Sequence, residues 1–226
     1  YKNKYKEIQH WTNNFTKDSV THKAALNEKS VIVLHHTGDY NDPNQIIREF
    51  QDTVKGTSSH VVIMKDGTRH LFNTDDYVLG HAGKSDFKNK NKANFFSLGI
   101  EMVGDSRDGQ FTIAQLESMI EYVRPRIQKY NIPFDNITTH KIIRGNYIKK
   151  HPDEKDILPK IDLDDEVWKQ IQKLVKEKLY KDISQIKLTK EGEKMLGTIT
   201  YQDGYRITRN HNSSLALVEA VLGDHG

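Results

Sequence analysis

Four consecutive apolar residues, Val31-Ile32-Val33-Leu34, run straight into a pair of histidines, His35-His36. Three of the four are β-branched, which favours extended backbone. Side chains on a strand alternate between the two faces of its sheet. A strand that is apolar at every position must therefore be covered on both faces. This excludes a sheet with one face in water and calls for a layered domain with the strand inside it.

The rest of the chain supplies matching layers. Asp42-Pro43 opens a helix whose apolar stripe is Ile46, Ile47, Phe50 and Val54, closed by Gly56. Two strand-like runs, Ser59 to Met64 and His70 to Phe72, flank Lys65-Asp66-Gly67-Thr68, which is a hairpin signal. Residues 81–96 read as a long loop and Ser97 to Val103 as a strand. Thr112-Ile-Ala-Gln115 is a capping box that opens a long helix, which Pro125 is expected to kink or shorten. Ile137 to Thr139 is a short strand leading into His140, and residues 141–161 read as an irregular polar loop. Asp164 or Asp165 caps a last helix with Val167, Ile171, Leu174, Val175 and Leu179 on its inner side. The order strand, helix, hairpin, strand, helix, strand, helix predicts an α/β domain, a mixed central β-sheet flanked by helices, over residues 30–180. Residues 1–29, polar with anchors at Tyr5, Ile8, Trp11 and Phe15, read as an N-terminal arm with room for one helix. Residues 181–226 read as a C-terminal extension of unassigned role.

Composition narrows the chemistry. The chain has no cysteine, which removes disulfides, thiolate metal ligands and cysteine nucleophiles together. Its 34 basic and 31 acidic residues leave a net charge of only +3. No basic run is interleaved with aromatics, so nucleic acid is not an expected partner. No apolar run approaches the roughly 20 residues that cross a bilayer. The chain starts at Tyr1, so an export signal or lipid anchor is expected to lie outside these residues.

Histidines at strand ends are the first candidates for a site. His35 and His36 are adjacent on a strand, so only one of them can face a given site. His140 also follows a strand, and two imidazoles at the ends of neighbouring strands can converge as zinc ligands. A lone histidine, by contrast, usually sits at the surface or in a core hydrogen bond. A catalytic zinc takes three protein ligands and keeps one position open. Without cysteine the third must come from His151, Asp156 or Asp162, all downstream of His140. Lys160 and Asp162 share a face if the segment is extended, which would set a cation beside a ligand. In the strand Ser97 to Val103, Glu101 shares a face with Ser97 and Gly99. A glutamate in an otherwise apolar strand is costly to bury unless it is used, and the small neighbours leave room for a ligand. The competing reading is an edge-strand glutamate facing water.

Five short motifs occur in order: Val31-Ile-Val-Leu-His-His-Thr37, Ser59-His-Val-Val-Ile-Met-Lys-Asp-Gly67, Gly80-His-Ala-Gly83, Asn94-Phe-Phe-Ser-Leu-Gly-Ile-Glu101 and Thr139-His140. Together they resemble the N-acetylmuramoyl-L-alanine amidases of type 2, a fold shared with peptidoglycan recognition proteins. The resemblance implies one Zn2+ ion held by His35, His140 and Asp162, with Glu101 as general base and Lys160 steadying the tetrahedral intermediate. It implies substrate contacts at His81, His36 and Asn94, and a structural role for His60. Ser59 stands where some relatives carry a tyrosine, which places this chain with the glutamate-using members. The spacing from His140 to Asp162 is about twice that of compact members, so Ile148 to Leu158 reads as an insertion and His151 and Asp156 stay open as ligands. The implied activity is hydrolysis of the amide between N-acetylmuramic acid and L-alanine, on intact peptidoglycan or free muropeptide, in the periplasm or elsewhere in the cell envelope. A non-catalytic peptidoglycan-binding module and a zinc peptidase acting on the stem peptide are the alternatives.

Overall fold

A computed structural model describes residues 3–38, 42–109 and 111–180. The C-terminal extension expected over 181–226 lies outside the described residues. Eight strands and four α-helices follow in chain order: β1 (Glu7–Gln9), β2 (Val31–His36), α1 (Pro43–Gln51), β3 (Val61–Ile63), β4 (Arg69–Leu71), β5 (Asp86–Phe87), β6 (Lys90–Asn91), β7 (Ser97–Met102), α2 (Ile113–Tyr130), β8 (Ile137–Thr139), α3 (His140–Lys150) and α4 (Asp165–Val175).

Six strands form one mixed sheet in the order β1-β4-β3-β7-β2-β8, and β5 pairs with β6 in a separate hairpin. Only β3 and β4 run antiparallel within the large sheet; β2 lies parallel to both β7 and β8. The apolar run of β2 is buried throughout, as its sequence requires. Ile32 and Leu34 join Ile100, Met102, the inner faces of α2 and α4, and Leu163 in one core. Val31 and Val33 face the other way, onto Ala82, Phe87, Phe96 and Ile143. Ile46 and Phe50 of α1 pack on Val62, Met64 and Phe72. The expected mixed sheet with helices on both faces is present.

Four local expectations are corrected. First, residues 3–29 contain no helix; β1 extends the sheet edge beside β4, and bridges at Phe15–Leu79 and Leu26–Tyr77 tie down the remainder. The spacing of Tyr5, Ile8 and Trp11 imitates a helical stripe, but Trp11 is 51% exposed, so no such stripe is buried. Second, α1 stops at Gln51, and Val54, assigned to its stripe, is 94% exposed. Third, Pro125 neither ends nor shortens α2, which runs for 18 residues behind its Thr112–Gln115 capping box. Fourth, residues 141–150, part of the stretch 141–161 read as loop, belong to α3 (His140–Lys150), with Thr139 as its N-cap.

The arm docks through charge. Arg69, 1% exposed, donates to Glu7 and Glu121 at 2.9 Å each and to the Ser118 carbonyl and hydroxyl. Tyr5 covers Gly67, where an added Cβ would lie 2.4 Å from its ring. Truncating one partner of a buried ion network leaves charges without compensation. Arg69→Ala is therefore expected to destabilise the fold by about 3–5 kcal/mol in urea denaturation, and a loss below ~1 kcal/mol would contradict this account.

Candidate active site

Parallel pairing assembles the site. In the register of the sheet His35 lies opposite Glu101, and Leu34 opposite Thr139. His140, one residue beyond Thr139, therefore arrives level with His35 at the carboxyl ends of three neighbouring strands. Such edges are where α/β sheets collect ligands.

His35 Nδ1 and His140 Nδ1 lie 3.1 Å apart, and Asp162 Oδ2 is 3.2 Å from each. All three residues are buried, and they are the metal-capable group of three found among the described residues. Glu101 Oε1 is 3.9 Å from His35 Nδ1, while its buried Oε2 has no hydrogen-bond partner. Burial raises the Glu101 carboxyl well above its usual range, and the nearby Asp162 carboxylate adds to the rise. Lys160 is solvent-exposed, yet its charge reaches both His35 and Glu101.

The proton positions on the two imidazoles follow from their outer partners. Ser97 Oγ donates to the Ala93 carbonyl at 2.5 Å, so it must accept from His81 Nε2 at 3.2 Å. His81 Nδ1 is then an acceptor, and His35 Nε2–H donates to it at 3.0 Å. His140 Nε2–H donates to the Ala82 carbonyl at 3.1 Å. Both Nδ1 atoms are thereby left as lone pairs aimed at one point. Burial pushes the His35 imidazole down to about 4, against the pull of Asp162. An anion and two neutral nitrogen donors converge on one point.

That donor set fits a divalent cation. Ligand atoms about 2.0–2.2 Å from one tetrahedral zinc lie roughly 3.3 Å apart, close to the edges of this triangle. Outer partners that fix ligand tautomers are the usual support of such sites.

Asp162 reaches the cluster because three neighbouring contacts grip its segment. Its carbonyl accepts from Lys141 N–H at 2.6 Å, Leu163 is buried in the core, and Asp164 caps α4. The 22 residues from His140 to Asp162 go out along α3 and fold back to its first turn. The open alternatives sit elsewhere: His151 stacks on Tyr147 with ring centroids 3.9 Å apart, and Asp156 is exposed.

The three residues expected to contact substrate also have partners within the protein. His81 packs against Gly99, where an added Cβ would lie 2.5 Å from its ring. The space that Gly99 leaves beside Glu101 thus holds an imidazole of the protein. Asn94 Oδ1 accepts from the N–H groups of His81 and Ala82 at 3.2 and 2.8 Å, bracing both outer partners. His36 lies on the opposite face of β2 from His35; its Nδ1 accepts from Ser106 N–H at 3.0 Å and contacts Ser106 Oγ, which accepts from Asp164 N–H. His60 is fully committed, donating to the Tyr77 carbonyl and accepting from Gly99 N–H. The sequence signal for these outer roles was the small residue Gly99 on the Glu101 face, which had been read as room for a ligand.

A mixed sheet carrying a His/His/Asp cluster and a part-buried glutamate at its carboxyl edge defines the class: an α/β protein with a candidate metal site beside a carboxyl group. A family model described as N-acetylmuramoyl-L-alanine amidase matches residues 26–156, more than half of the chain, and the protein belongs to that family. It is 32% identical over 83 residues to the 1,6-anhydro-N-acetylmuramyl-L-alanine amidase AmpD of Salmonella typhimurium, covering 37% of this chain and 44% of the relative. The corresponding protein of Enterobacter cloacae is 33% identical over 86 residues, 38% of this chain and 46% of that one. The match thus spans less than half the length of these curated relatives. Among solved structures, an AmpD crystal structure aligns with a TM-score of 0.50 at 21% identity, covering 63% of this chain and 84% of that one. A mutant endolysin from Bacillus subtilis aligns with a TM-score of 0.51 at 19% identity, covering 75% and 97%. At these identities the likeness establishes the fold.

Proposed function

We propose that this protein hydrolyses the amide between N-acetylmuramic acid and L-alanine in bacterial peptidoglycan, with one zinc ion held by His35, His140 and Asp162. The observation that carries the reading is the triangle of ligand atoms beside a part-buried glutamate whose buried Oε2 has no hydrogen-bond partner. Zinc bound there would supply Lewis acidity and bring the pKa of water toward neutrality.

The remaining chemistry falls to the side chains. Glu101 takes a proton from the water that attacks the lactyl carbonyl carbon. Its raised proton affinity suits this task, since the same carboxyl must then deliver that proton to the departing nitrogen. The carbon–nitrogen bond breaks and L-alanine leaves as a free amine. Lys160 places positive charge near the oxyanion that develops on the carbonyl oxygen. His81 acts through His35, Asn94 through the 81–82 backbone, and His36 through the start of α4.

His81→Ala is expected to weaken zinc affinity roughly 10–100-fold in a chelator competition titration, because His35 loses the acceptor that pins its tautomer. Unchanged affinity would return His81 to a substrate contact. The activity itself is tested by incubating the protein with purified peptidoglycan, with zinc or with chelator, and identifying the new ends by mass spectrometry. Free L-alanine amines on intact stem peptides, lost with chelator and restored by zinc, are the expected result. Cleavage within the stem peptide would make the protein a peptidase, and binding without cleavage a recognition module. No helix among the described residues is long and apolar enough to cross a membrane, and the substrate places the proposed site of action at the cell wall.

A further inference from the structure

The charge of this chain is unevenly spread. Residues 84–92 carry four lysines and one acid, and α3 carries three lysines, Arg144 and no acid. These two segments alone amount to +7 in a chain of +3, so the remainder is net acidic. They are also one surface. Lys150 Nζ donates to Asp86 Oδ1 at 2.8 Å and Asn89 Oδ1 at 2.6 Å, and Arg144 Nε donates to the Lys84 carbonyl at 2.7 Å.

Half of the cations on this face are spoken for. Lys84, Lys90, Lys141 and Lys150 pair with Glu154, Glu28, Asp165 and Asp86. Among the described residues Lys88, Lys92, Arg144 and Lys149 have no carboxylate within salt-bridge distance, and the three lysines are exposed. The face starts at the metal cluster and runs away from it: His140 is the first residue of α3, and Ala82, which accepts from His140, lies two residues before Lys84, while Lys149 lies near the far end of α3 and Lys88 Nζ donates to Asn136 Oδ1 at 2.9 Å, just before β8.

Resting on the amidase reading, we infer that the β5–β6 hairpin and α3 form a docking surface for polymeric peptidoglycan, whose neighbouring stem-peptide carboxylates are the ligands. The glycan strand is neutral and every stem peptide presents free carboxylates. A sacculus therefore offers many anions around each scissile amide, and a soluble single-stem fragment offers only its own. Surface lysines contribute little singly, but several facing a repeating anion raise residence and encounter rate. The substrate class that this surface fits is the intact wall.

The test uses sacculi stripped of phosphate-bearing secondary polymers, and the triple substitution Lys88→Gln, Lys92→Gln, Lys149→Gln in the full chain. The unsubstituted protein is expected to sediment with the sacculi at low salt and to be released as salt rises. The triple variant should bind about tenfold more weakly and show a shallower salt dependence. Its turnover should fall on sacculi and stay within about twofold on a soluble single-stem muropeptide. Equal sedimentation of the two proteins overturns the inference, as does an equal loss on both substrates. Sedimentation that survives chemical amidation of the sacculus carboxylates, or that requires the phosphate-bearing polymers, also overturns it. Sedimentation needs no bond cleavage, so a protein that binds by charge and cuts nothing would sink the amidase reading and leave the surface standing.

Discussion

Glu101→Gln is expected to suppress hydrolysis while zinc still binds. The substitution keeps shape and volume but deletes the group proposed to take up and return a proton. General acid–base catalysis by one side chain is worth about 10²–10⁴ in rate, so kcat should fall by that much. Glu101 Oε1 lies 3.9 Å from His35 Nδ1, outside the ligand triangle, so metal affinity should stay within about threefold. Stability adds an independent reading. Burial raises the folded pKa of Glu101, so in the metal-free protein its ionisation opposes folding once the pH exceeds the unfolded value. The metal-free Gln variant is therefore expected to melt no lower than the unsubstituted protein at pH 7. The proposed role sets a sign for activity: kcat/KM should rise with pH along an acid limb as the base loses its proton. A Gln variant that keeps full activity, or that loses zinc, would remove Glu101 from the role of base.

Asp162→Asn is expected to fail at an earlier step, with loss of the proposed metal site. The substitution leaves two neutral imidazoles and an amide where an anion had been. It removes the negative charge that compensates a divalent cation, and an amide oxygen is the weaker donor. Zinc affinity should drop by more than the roughly 10–100-fold that an outer-partner change costs, with activity abolished at equimolar metal. The fold should persist, since the segment is also held by Lys141 N–H on the Asp162 carbonyl and by buried Leu163. Excess zinc should restore part of the activity to His81→Ala and little to Asp162→Asn. Full activity in Asp162→Asn would hand the third ligand role to another residue.

What the sequence reveals of this site depends on how far each contact travels along the chain. His35, Glu101 and His140 can be read because each lies at a strand end, where alternation and parallel register leave few choices of direction. Asp162 was open against His151 and Asp156, because α3 was invisible. That helix buries only His140 and Ile143 among eleven residues, so it has no apolar stripe to read. Its stability comes from the Thr139 cap and from packing on the hairpin. His81, His36 and Asn94 were placed near the site, but their partners are set by backbone carbonyls and amides from distant segments, which leave no periodic trace. The N-terminal arm misled for the opposite reason: its apolar spacing fits a helix, but its pairing with β4 satisfies the backbone instead.

That pairing also bears on solubility. Without β1, the outer side of β4 would present a row of unsatisfied amides and carbonyls, a template on which a second molecule could add a strand. The arm replaces it with a border of only three residues preceded by Lys6, whose charge discourages further growth. Residues 7–9 thus act as an anti-aggregation guard, and a chain shortened past them is expected to self-associate.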